Sequence, residues 1–131
     1  MQLPSDLTPT SPRRRVLVIE DHADSRDMLR MLLELEGHEI LEAAGGAEAV
    51  KIILDEPVDV ALIDLSLPDL DGLQIARHTR LLALSPRPFL VAVTGWVRDE
   101  DRERTREAGF DAHLSKPVTP EALADIFRAL G

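Results

Sequence analysis

The chain lacks cysteine and tyrosine and has few aromatic residues, with three phenylalanines and one tryptophan among 131 positions. The absence of cysteine excludes a disulfide framework and a thiolate zinc site. Long apolar runs are missing as well, since the longest, Phe89 to Val93, has five residues. A membrane-spanning helix needs about 20 apolar residues, and the core of a signal peptide needs about 7–15. The sequence therefore predicts a soluble, cytoplasmic protein with no membrane span.

Basic side chains are scarce relative to acidic ones. Lys and Arg number 15 against 24 Asp and Glu, which gives a formal net charge of −9 at pH 7. Because nucleic-acid binding needs clustered Lys and Arg, no nucleic acid is expected as the main partner. Only two of the basic residues are lysines, Lys51 and Lys116. The apolar fraction of 44% is close to the globular norm of about 45–50%, so one packed domain is expected.

The first residues differ in composition from the rest. Residues 1–13 contain three prolines among serines and threonines, and such a segment has little apolar surface to bury. We therefore expect a flexible leader or linker over residues 1–13 and one folded domain over residues 14–131. The sequence ends one residue after the last predicted helix, which predicts a module without an output domain.

Five short apolar segments alternate with five helical ones over residues 14–131. The predicted strands are Val16–Ile19, Ile40–Ala43, Val60–Ile63, Phe89–Val93 and Ala112–Leu114. The first, third and fourth are continuous apolar runs, typical of strands buried on both faces, whereas the second alternates with glutamates like an edge strand. Strict alternation of strands and helices predicts an α/β fold, with a parallel sheet wrapped by helices.

Some helix positions can be assigned to a face. Arg26, Arg30 and Glu34 follow one another at four-residue steps and are expected on the outer face of the first helix. The second helix is expected to face the sheet with Ala47, Val50, Ile53 and Leu54. Asp69 and Asp71 are expected to form a loop and to cap the start of the third helix.

Polar residues follow four of the predicted strands. Glu20 and Asp21 follow the first, Asp64 the third, Thr94 the fourth and Lys116 lies just after the fifth. Ligands of open parallel sheets bind beyond the carboxyl ends of the strands, so these side chains converge if the strands are neighbours. Three carboxylates in one place need counter-charge, which a lysine and a divalent cation with oxygen ligands, such as Mg²⁺, would supply. Together with a hydroxyl, this set suits a phosphoryl group, with a carboxylate as its nucleophile.

The sequence around these strand ends resembles the receiver domain of two-component response regulators. The matching motifs are Val-Ile-Glu20-Asp21, Leu-Ile-Asp64-Leu, Leu67 to Gly72, Val93-Thr94-Gly95 and Leu114 to Pro117. The resemblance covers residues from about 14 to 131. It implies a flavodoxin-like (βα)5 fold, a doubly wound five-stranded parallel sheet with strand order 2-1-3-4-5.

This resemblance implies a signalling role rather than an enzymatic one. The domain would be a phosphoprotein switch of a phosphorelay that promotes only its own phosphorylation and dephosphorylation. Its expected partners are a histidine kinase or a histidine phosphotransfer protein, and a downstream protein that the sequence does not name. It would be a single-domain, chemotaxis-type receiver or a receiver from a hybrid histidine kinase.

The resemblance also assigns roles to individual residues. Asp64 would accept the phosphoryl group as an aspartyl phosphate, and Thr94 and Lys116 would contact the phosphoryl oxygens. The peptide bond between Lys116 and Pro117 would be cis. Mg²⁺ would be held by Asp64, by Asp21 directly, by Glu20 through water and by the backbone carbonyl of Ser66.

Two further roles concern the switch and the lifetime of the phosphorylated state. Ser66 and Trp96 lie two residues after Asp64 and Thr94, at positions that tune dephosphorylation in receivers. The resemblance makes Thr94 one half of a conformational switch, whose other half in receivers is Phe or Tyr. Here that position is His113, either a pH-sensitive variant of the switch or an exposed ring.

Three other functions are compatible with parts of this pattern. A small Mg²⁺-dependent phosphohydrolase would use Glu20 and Asp64 but leaves Thr94 and the Lys116-Pro117 pair unexplained. In a flavin carrier the first strand-to-helix turn would cradle a phosphate, which Glu20 and Asp21 would repel. The third alternative is a degenerate receiver that is never phosphorylated.

Overall fold

A computed structural model describes residues 12–95 and 98–131. Eleven of the thirteen residues of the expected leader, and Trp96, lie outside the described residues. The strands are β1 (Arg15–Ile19), β2 (Glu39–Ala43), β3 (Val60–Asp64), β4 (Phe89–Thr94) and β5 (Ala112–Ser115). The helices are α1 (Ala23–Leu35), α2 (Gly46–Asp55), α3 (Gly72–Leu81), α4 (Asp99–Ala108) and α5 (Pro120–Leu130). All five predicted strands are confirmed, and each is one residue longer than the sequence indicated.

The strands form one parallel sheet in the order β2-β1-β3-β4-β5, which confirms the doubly wound order 2-1-3-4-5. The chain runs from β1 outward to β2 and then crosses to the other side of β1, so the order reverses between β1 and β3. Strand β2 lies at an edge, as its alternating sequence predicted. Because Ile19 is in register with Ile63, and Thr94 with Ser115, the carboxyl ends of the strands meet at one edge of the sheet.

Apolar layers cover both faces of the sheet, which explains the continuous apolar runs. On one face, Leu17 and Ile63 pack with side chains of α2, α3 and α4. On the other face, Val18 and Leu62 pack with α1 and α5, including Phe127. All five side chains are at most 2% exposed. Successive residues of a strand point to opposite faces, so a strand between two helical layers is apolar at every position.

Helix α2 packs with a different face from the one predicted. It begins at Gly46, and its buried residues are Gly46, Ala49 and Ile53. Ala47 is exposed and Leu54 is 54% exposed, so both were wrongly expected to face the sheet. A Cβ on Gly46 would lie 2.5 Å from the Cβ of Leu70. The helix therefore approaches the loop after β3 closely, and this approach fixes the face that it buries.

Asp69 holds the loop after β3 against the start of α2. Its carboxylate accepts hydrogen bonds from the backbone N–H groups of Gly46 (2.8 Å) and Ala47 (3.1 Å). These two bonds are the main cause that lowers the pKa of Asp69. The sequence predicted a loop here and a cap on α3, and Asp71 does cap α3 by accepting from the backbone N–H of Leu73. The contact of Asp69 with a different helix was not foreseen.

We expect Asp69→Ala to destabilise the protein. The first N–H groups of α2 have no acceptor within the helix, and the substitution would remove the acceptor that Asp69 provides. Urea denaturation should give a lower midpoint for Asp69→Ala and an intermediate one for Asp69→Asn, which keeps one acceptor. Asp125→Ala is the matched control, since Asp125 pairs with Arg128 on the surface. Equal midpoints for the Asp69 and Asp125 variants would show that the contact has no energetic role.

His38 is buried between β1 and α5. Only 5% of the residue is exposed, its ring stacks on Phe127 at 4.3 Å, and its Nδ1 accepts a hydrogen bond from the backbone N–H of Arg14 at 3.0 Å. Burial lowers the pKa of His38, and the charge of Arg14 lowers it further while Glu36 opposes the shift. The folded protein therefore holds this imidazole neutral.

We expect this neutral imidazole to make stability depend on pH. Above the ordinary histidine pKa of 6.5, His38 is neutral in both the folded and the unfolded chain. Its full contribution to the free energy of unfolding is then present. As the pH falls through that value, the unfolded chain takes up a proton that the folded chain refuses, so the free energy of unfolding decreases. Urea denaturation between pH 8 and pH 5 should show a steeper decrease for the native sequence than for His38→Phe. Equal slopes would contradict the assignment.

Candidate functional site

The carboxyl edge of the sheet brings together the residues that follow four strands. The Nζ atom of Lys116 lies 3.0 Å from Oδ2 of Asp64 and 3.9 Å from Oε2 of Glu20. Glu20 and Asp64 are each 2% exposed, whereas the side chain of Lys116 is 39% exposed. The site is thus a buried carboxylate pair with an ammonium at its mouth, and these three predicted residues do converge.

The two buried carboxyl groups differ in how readily they ionise. Burial raises the pKa of Glu20, and its hydrogen bond to Asp64 and the charge of Asp64 raise it further. Burial also opposes ionisation of Asp64, but hydrogen bonds from Glu20, from the backbone N–H of Ser66 (2.8 Å) and from Lys116 outweigh it and lower the pKa of Asp64. The two carboxyl groups are therefore unequal, and Asp64 ionises more readily than Glu20.

Asp21 and His22 lie beside this pair in the loop between β1 and α1. The Nδ1 atom of His22 is 3.2 Å from Oε1 of Glu20 and 3.4 Å from Oδ1 of Asp21. One ligand atom from each of these three residues lies within 4.8 Å of the others. The side chain of His22 is 76% exposed, and the sequence did not indicate its proximity to the acidic pair.

The donor set at this edge fits a hard divalent cation. Three carboxyl groups gather around one lysine, so the ionised site has more negative charge than its side chains offset. Carboxylate oxygens are the ligands that Mg²⁺ prefers, and it keeps water at open positions. Asp21 is partly exposed, with 28% of its side chain accessible, so it offers a carboxylate at the solvent side.

Thr94 ends β4 on the other side of Asp64. It is 1% exposed, and its backbone carbonyl accepts a hydrogen bond from the backbone N–H of Lys116 at 2.9 Å. The peptide bond between Lys116 and Pro117 is cis, as the resemblance implied. A second cis peptide bond, between Ser85 and Pro86, was not expected. The strand ends that carry Thr94 and Lys116 are thus held together by their own backbone.

His113 does not have the exposed ring that one of the two alternatives predicted. The residue is half-buried, and both ring nitrogens are buried without a hydrogen-bond partner among the described residues. Burial lowers the pKa of His113, and the charge of Arg102 lowers it further while Asp101 opposes the shift. The ring is therefore neutral, and it packs on the side of β5 that faces α4. The expected role of Trp96 concerns a residue outside the described part of the chain.

Beyond the carboxylates, the edge opens into a cavity of about 510 Å³ between α1 and the residues that follow β5. Lys116 and Glu20 line its polar end, and Met28, Leu29 and Val118 line its apolar part. Met28 is 57% exposed. In the described ranges, 12–95 and 98–131, no helix combines the length and apolar character needed to span a membrane.

A known protein family matches most of the chain. Residues 16–128 match the response regulator receiver domain. An uncharacterized 14.6 kDa protein of Leptolyngbya boryana is 33% identical over 105 residues, which cover 80% of each chain. The sensor histidine kinase RcsC of Salmonella typhi is 33% identical over 108 residues, which cover 82% of this chain and 11% of the kinase.

Solved structures match with the same fold. The co-crystal structure of the yeast (Saccharomyces cerevisiae) histidine phosphotransfer protein Ypd1 with the receiver domain of its downstream response regulator Ssk1 gives a TM-score of 0.84 at 25% identity, covering 89% of this chain and 88% of the matched one. The receiver domain of the sensor histidine kinase PA1611 of Pseudomonas aeruginosa gives 0.81 at 27% identity, covering 90% and 97%. That structure holds a magnesium ion coordinated in its active site cleft.

Proposed function

The chain belongs to the response regulator receiver domain family, and from this membership we propose that Asp64 is the residue that accepts a phosphoryl group. The observation that carries the proposal is the placement of Asp64 at the end of β3, where it is 2% exposed and lies 3.0 Å from the Nζ atom of Lys116. Its hydrogen bonds lower its pKa despite the burial. A buried anion at the end of a strand is a nucleophile that water does not shield. The donor would be a phosphohistidine of a histidine kinase or a histidine phosphotransfer protein.

The transfer exchanges one bond for another. An oxygen of Asp64 forms the bond to phosphorus as the phosphorus–nitrogen bond of the phosphohistidine breaks, and the electron pair stays on the imidazole nitrogen of the donor. Lys116, 3.0 Å from Asp64, would offset the charge of the phosphoryl oxygens after transfer. The hydroxyl of Thr94, at the same edge of the sheet, would contact one of these oxygens.

The cation site would use the residues that the resemblance assigned to it. Asp21, Asp64 and the backbone carbonyl of Ser66 would bind Mg²⁺ directly, and Glu20 would bind it through water. When bound, Mg²⁺ supplies positive charge opposite the phosphoryl oxygens. The magnesium ion in the related receiver of PA1611 and the crowded carboxyl groups of this site support the proposal.

The proposed partners follow from the kinds of protein that match. The yeast complex supports a histidine phosphotransfer protein as donor, and the match to a sensor histidine kinase supports origin in, or pairing with, such a kinase. The domain would act in the cytoplasm as a switch for a downstream protein and would catalyse only its own phosphorylation and dephosphorylation. The phosphohydrolase alternative receives no support from the comparisons.

The test is the stoichiometry of phosphoryl uptake. Incubation of the whole chain with acetyl phosphate and Mg²⁺ should add one phosphoryl group per molecule by intact mass spectrometry. The group should be lost at alkaline pH, as an acyl phosphate is, and excess EDTA should prevent its uptake. Hydrolysis of a phosphate monoester well beyond one equivalent, without a covalent adduct, would instead favour the phosphohydrolase.

A further inference from the structure

Arg26 connects the acidic loop to both α1 and β2. Its Nη1 donates a hydrogen bond to the backbone carbonyl of Glu20 at 2.8 Å, and its Nε lies 3.7 Å from Oε2 of Glu42 on β2. The side chain is 19% exposed, although the sequence predicted it on the outer face of α1. A long cationic side chain is thus held inward, at the backbone of a residue assigned to the cation site.

The hydrogen bond from Arg26 completes the fixation of the Glu20 backbone. On the other side, the N–H of Glu20 donates to the carbonyl of Ala43 at the end of β2, at 3.1 Å. The carbonyl that Arg26 binds belongs to the peptide bond between Glu20 and Asp21, and that bond is planar and stiff. Because this peptide plane contains the carbonyl group of Glu20 and the backbone nitrogen of Asp21, the hydrogen bond restrains the backbone of both residues.

The charge of Arg26 is compensated nearby. Glu42, which faces Arg26 at 3.7 Å, also accepts a hydrogen bond from Arg30 at 3.0 Å. An uncompensated guanidinium beside a divalent cation would weaken its binding by repulsion. With Glu42 opposite, Arg26 can hold the loop at a smaller electrostatic cost to the cation.

We propose that Arg26 is a positioning residue for the cation site, holding the β1–α1 loop so that Glu20 and Asp21 keep their place relative to Asp64. This inference rests on the proposed function, in which that loop binds Mg²⁺. Arg26 acts through the backbone and does not touch the phosphoryl group. Its role is that of an outer partner that orients the ligands of a metal, where a substitution typically weakens affinity by about 10–100-fold.

The direction in which Arg26→Ala changes the affinity for Mg²⁺ distinguishes a positioning role from a purely electrostatic one. Arg26→Ala removes a positive charge near the site, and charge alone would make Mg²⁺ bind more tightly. Positioning requires the opposite, about ten-fold weaker binding in a calorimetric Mg²⁺ titration. Arg30→Ala is the matched control, because Arg30 lies one turn further along α1 and shares Glu42 but has no bond to the Glu20 carbonyl. It should bind Mg²⁺ like the native sequence.

Two further variants keep the test sharp. Arg26→Lys retains a donor that reaches a backbone carbonyl and should restore most of the affinity that Arg26→Ala loses. Arg26→Gln retains a neutral donor and serves if Arg26→Ala does not fold. Urea denaturation of each variant shows whether it is folded. Weaker Mg²⁺ binding by a folded variant can then be attributed to displaced ligands rather than to unfolding.

Failure of the positioning role can be distinguished from failure of the proposed function. Unchanged or tighter Mg²⁺ binding by folded Arg26→Ala, or an equal loss in Arg30→Ala, would overturn the positioning role while Asp64 phosphorylation remains intact. A native chain that neither binds Mg²⁺ nor takes up a phosphoryl group would overturn both proposals together.

Discussion

Asp64→Asn is expected to abolish phosphoryl uptake from acetyl phosphate under conditions in which the native chain is fully labelled. The amide that replaces the carboxylate has no anionic oxygen to form the bond to phosphorus. Intact mass spectrometry should show no adduct at any time point. The fold should survive, because the side-chain oxygen of asparagine can still accept from the backbone N–H of Ser66, which now donates to Asp64 at 2.8 Å.

Asp71→Asn is the control for this substitution. Asp71 lies on the same loop and caps α3, a position where asparagine is as good a cap as aspartate. It should be phosphorylated like the native chain. A labile phosphoryl adduct on Asp64→Asn would place the acceptor elsewhere, and Asp21 would be the first residue to examine.

Lys116→Met is expected to slow phosphorylation of Asp64 by about 10²–10³-fold, the range seen when one charge-stabilising donor is removed from a transition state. The ammonium lies 3.0 Å from Asp64, where negative charge accumulates on the incoming oxygens. Binding of Mg²⁺ should persist or become tighter, because a competing positive charge leaves the carboxylates. Slow phosphoryl transfer with intact Mg²⁺ binding would distinguish Lys116 from Arg26, because the loss of Arg26 weakens the binding of Mg²⁺ itself.

Lys51→Met provides the matched control, since Lys51 is the only other lysine of the chain and is exposed on α2. Its phosphorylation rate should equal that of the native chain. The rate is measured as the appearance of the adduct with time at fixed acetyl phosphate and Mg²⁺. Equal rates for Lys116→Met and the native chain would remove Lys116 from the transfer chemistry.

The residues of the cation and acceptor site were predictable because each one ends a strand. A continuous apolar run stops where the chain leaves the sheet, and in a parallel sheet those stops share an edge. Glu20, Asp64 and Lys116 were therefore expected to converge if their strands were neighbours, and the resemblance implied the strand order that brings them together. The structure places Lys116 at 3.0 Å from Asp64 and at 3.9 Å from Glu20. Their roles in phosphoryl transfer came from the resemblance and remain to be tested.

Contacts between elements far apart in sequence were not predictable in the same way. Arg26 belongs to a row of charged residues expected on the outside of α1, yet its side chain is only 19% exposed and donates to the Glu20 carbonyl. Asp69 was expected to serve its own loop, but it caps α2 because that helix packs closely on Leu70. Such contacts depend on how the helices pack on the sheet. The periodicity of a helix shows which residues share a face, but it does not show which element that face contacts.

The strand order has a consequence for how the site comes into being. Within residues 12–95 and 98–131, no two sequence-adjacent strands form a hairpin, and each neighbouring pair in the sheet is joined through at least one helix. Every sheet contact must therefore close a long loop before it gains stability, which makes such topologies slow to form relative to helical bundles. Glu20, Asp64 and Lys116 lie at the ends of the first, third and fifth strands, and β4 lies between β3 and β5. All three residues therefore meet only after four strands have docked. The proposed Mg²⁺ ligands lie only at the ends of β1 and β3, which are neighbours in the sheet, so cation binding would report on the docking of these two strands. The arrival of Lys116 would instead report on the docking of β4 and β5.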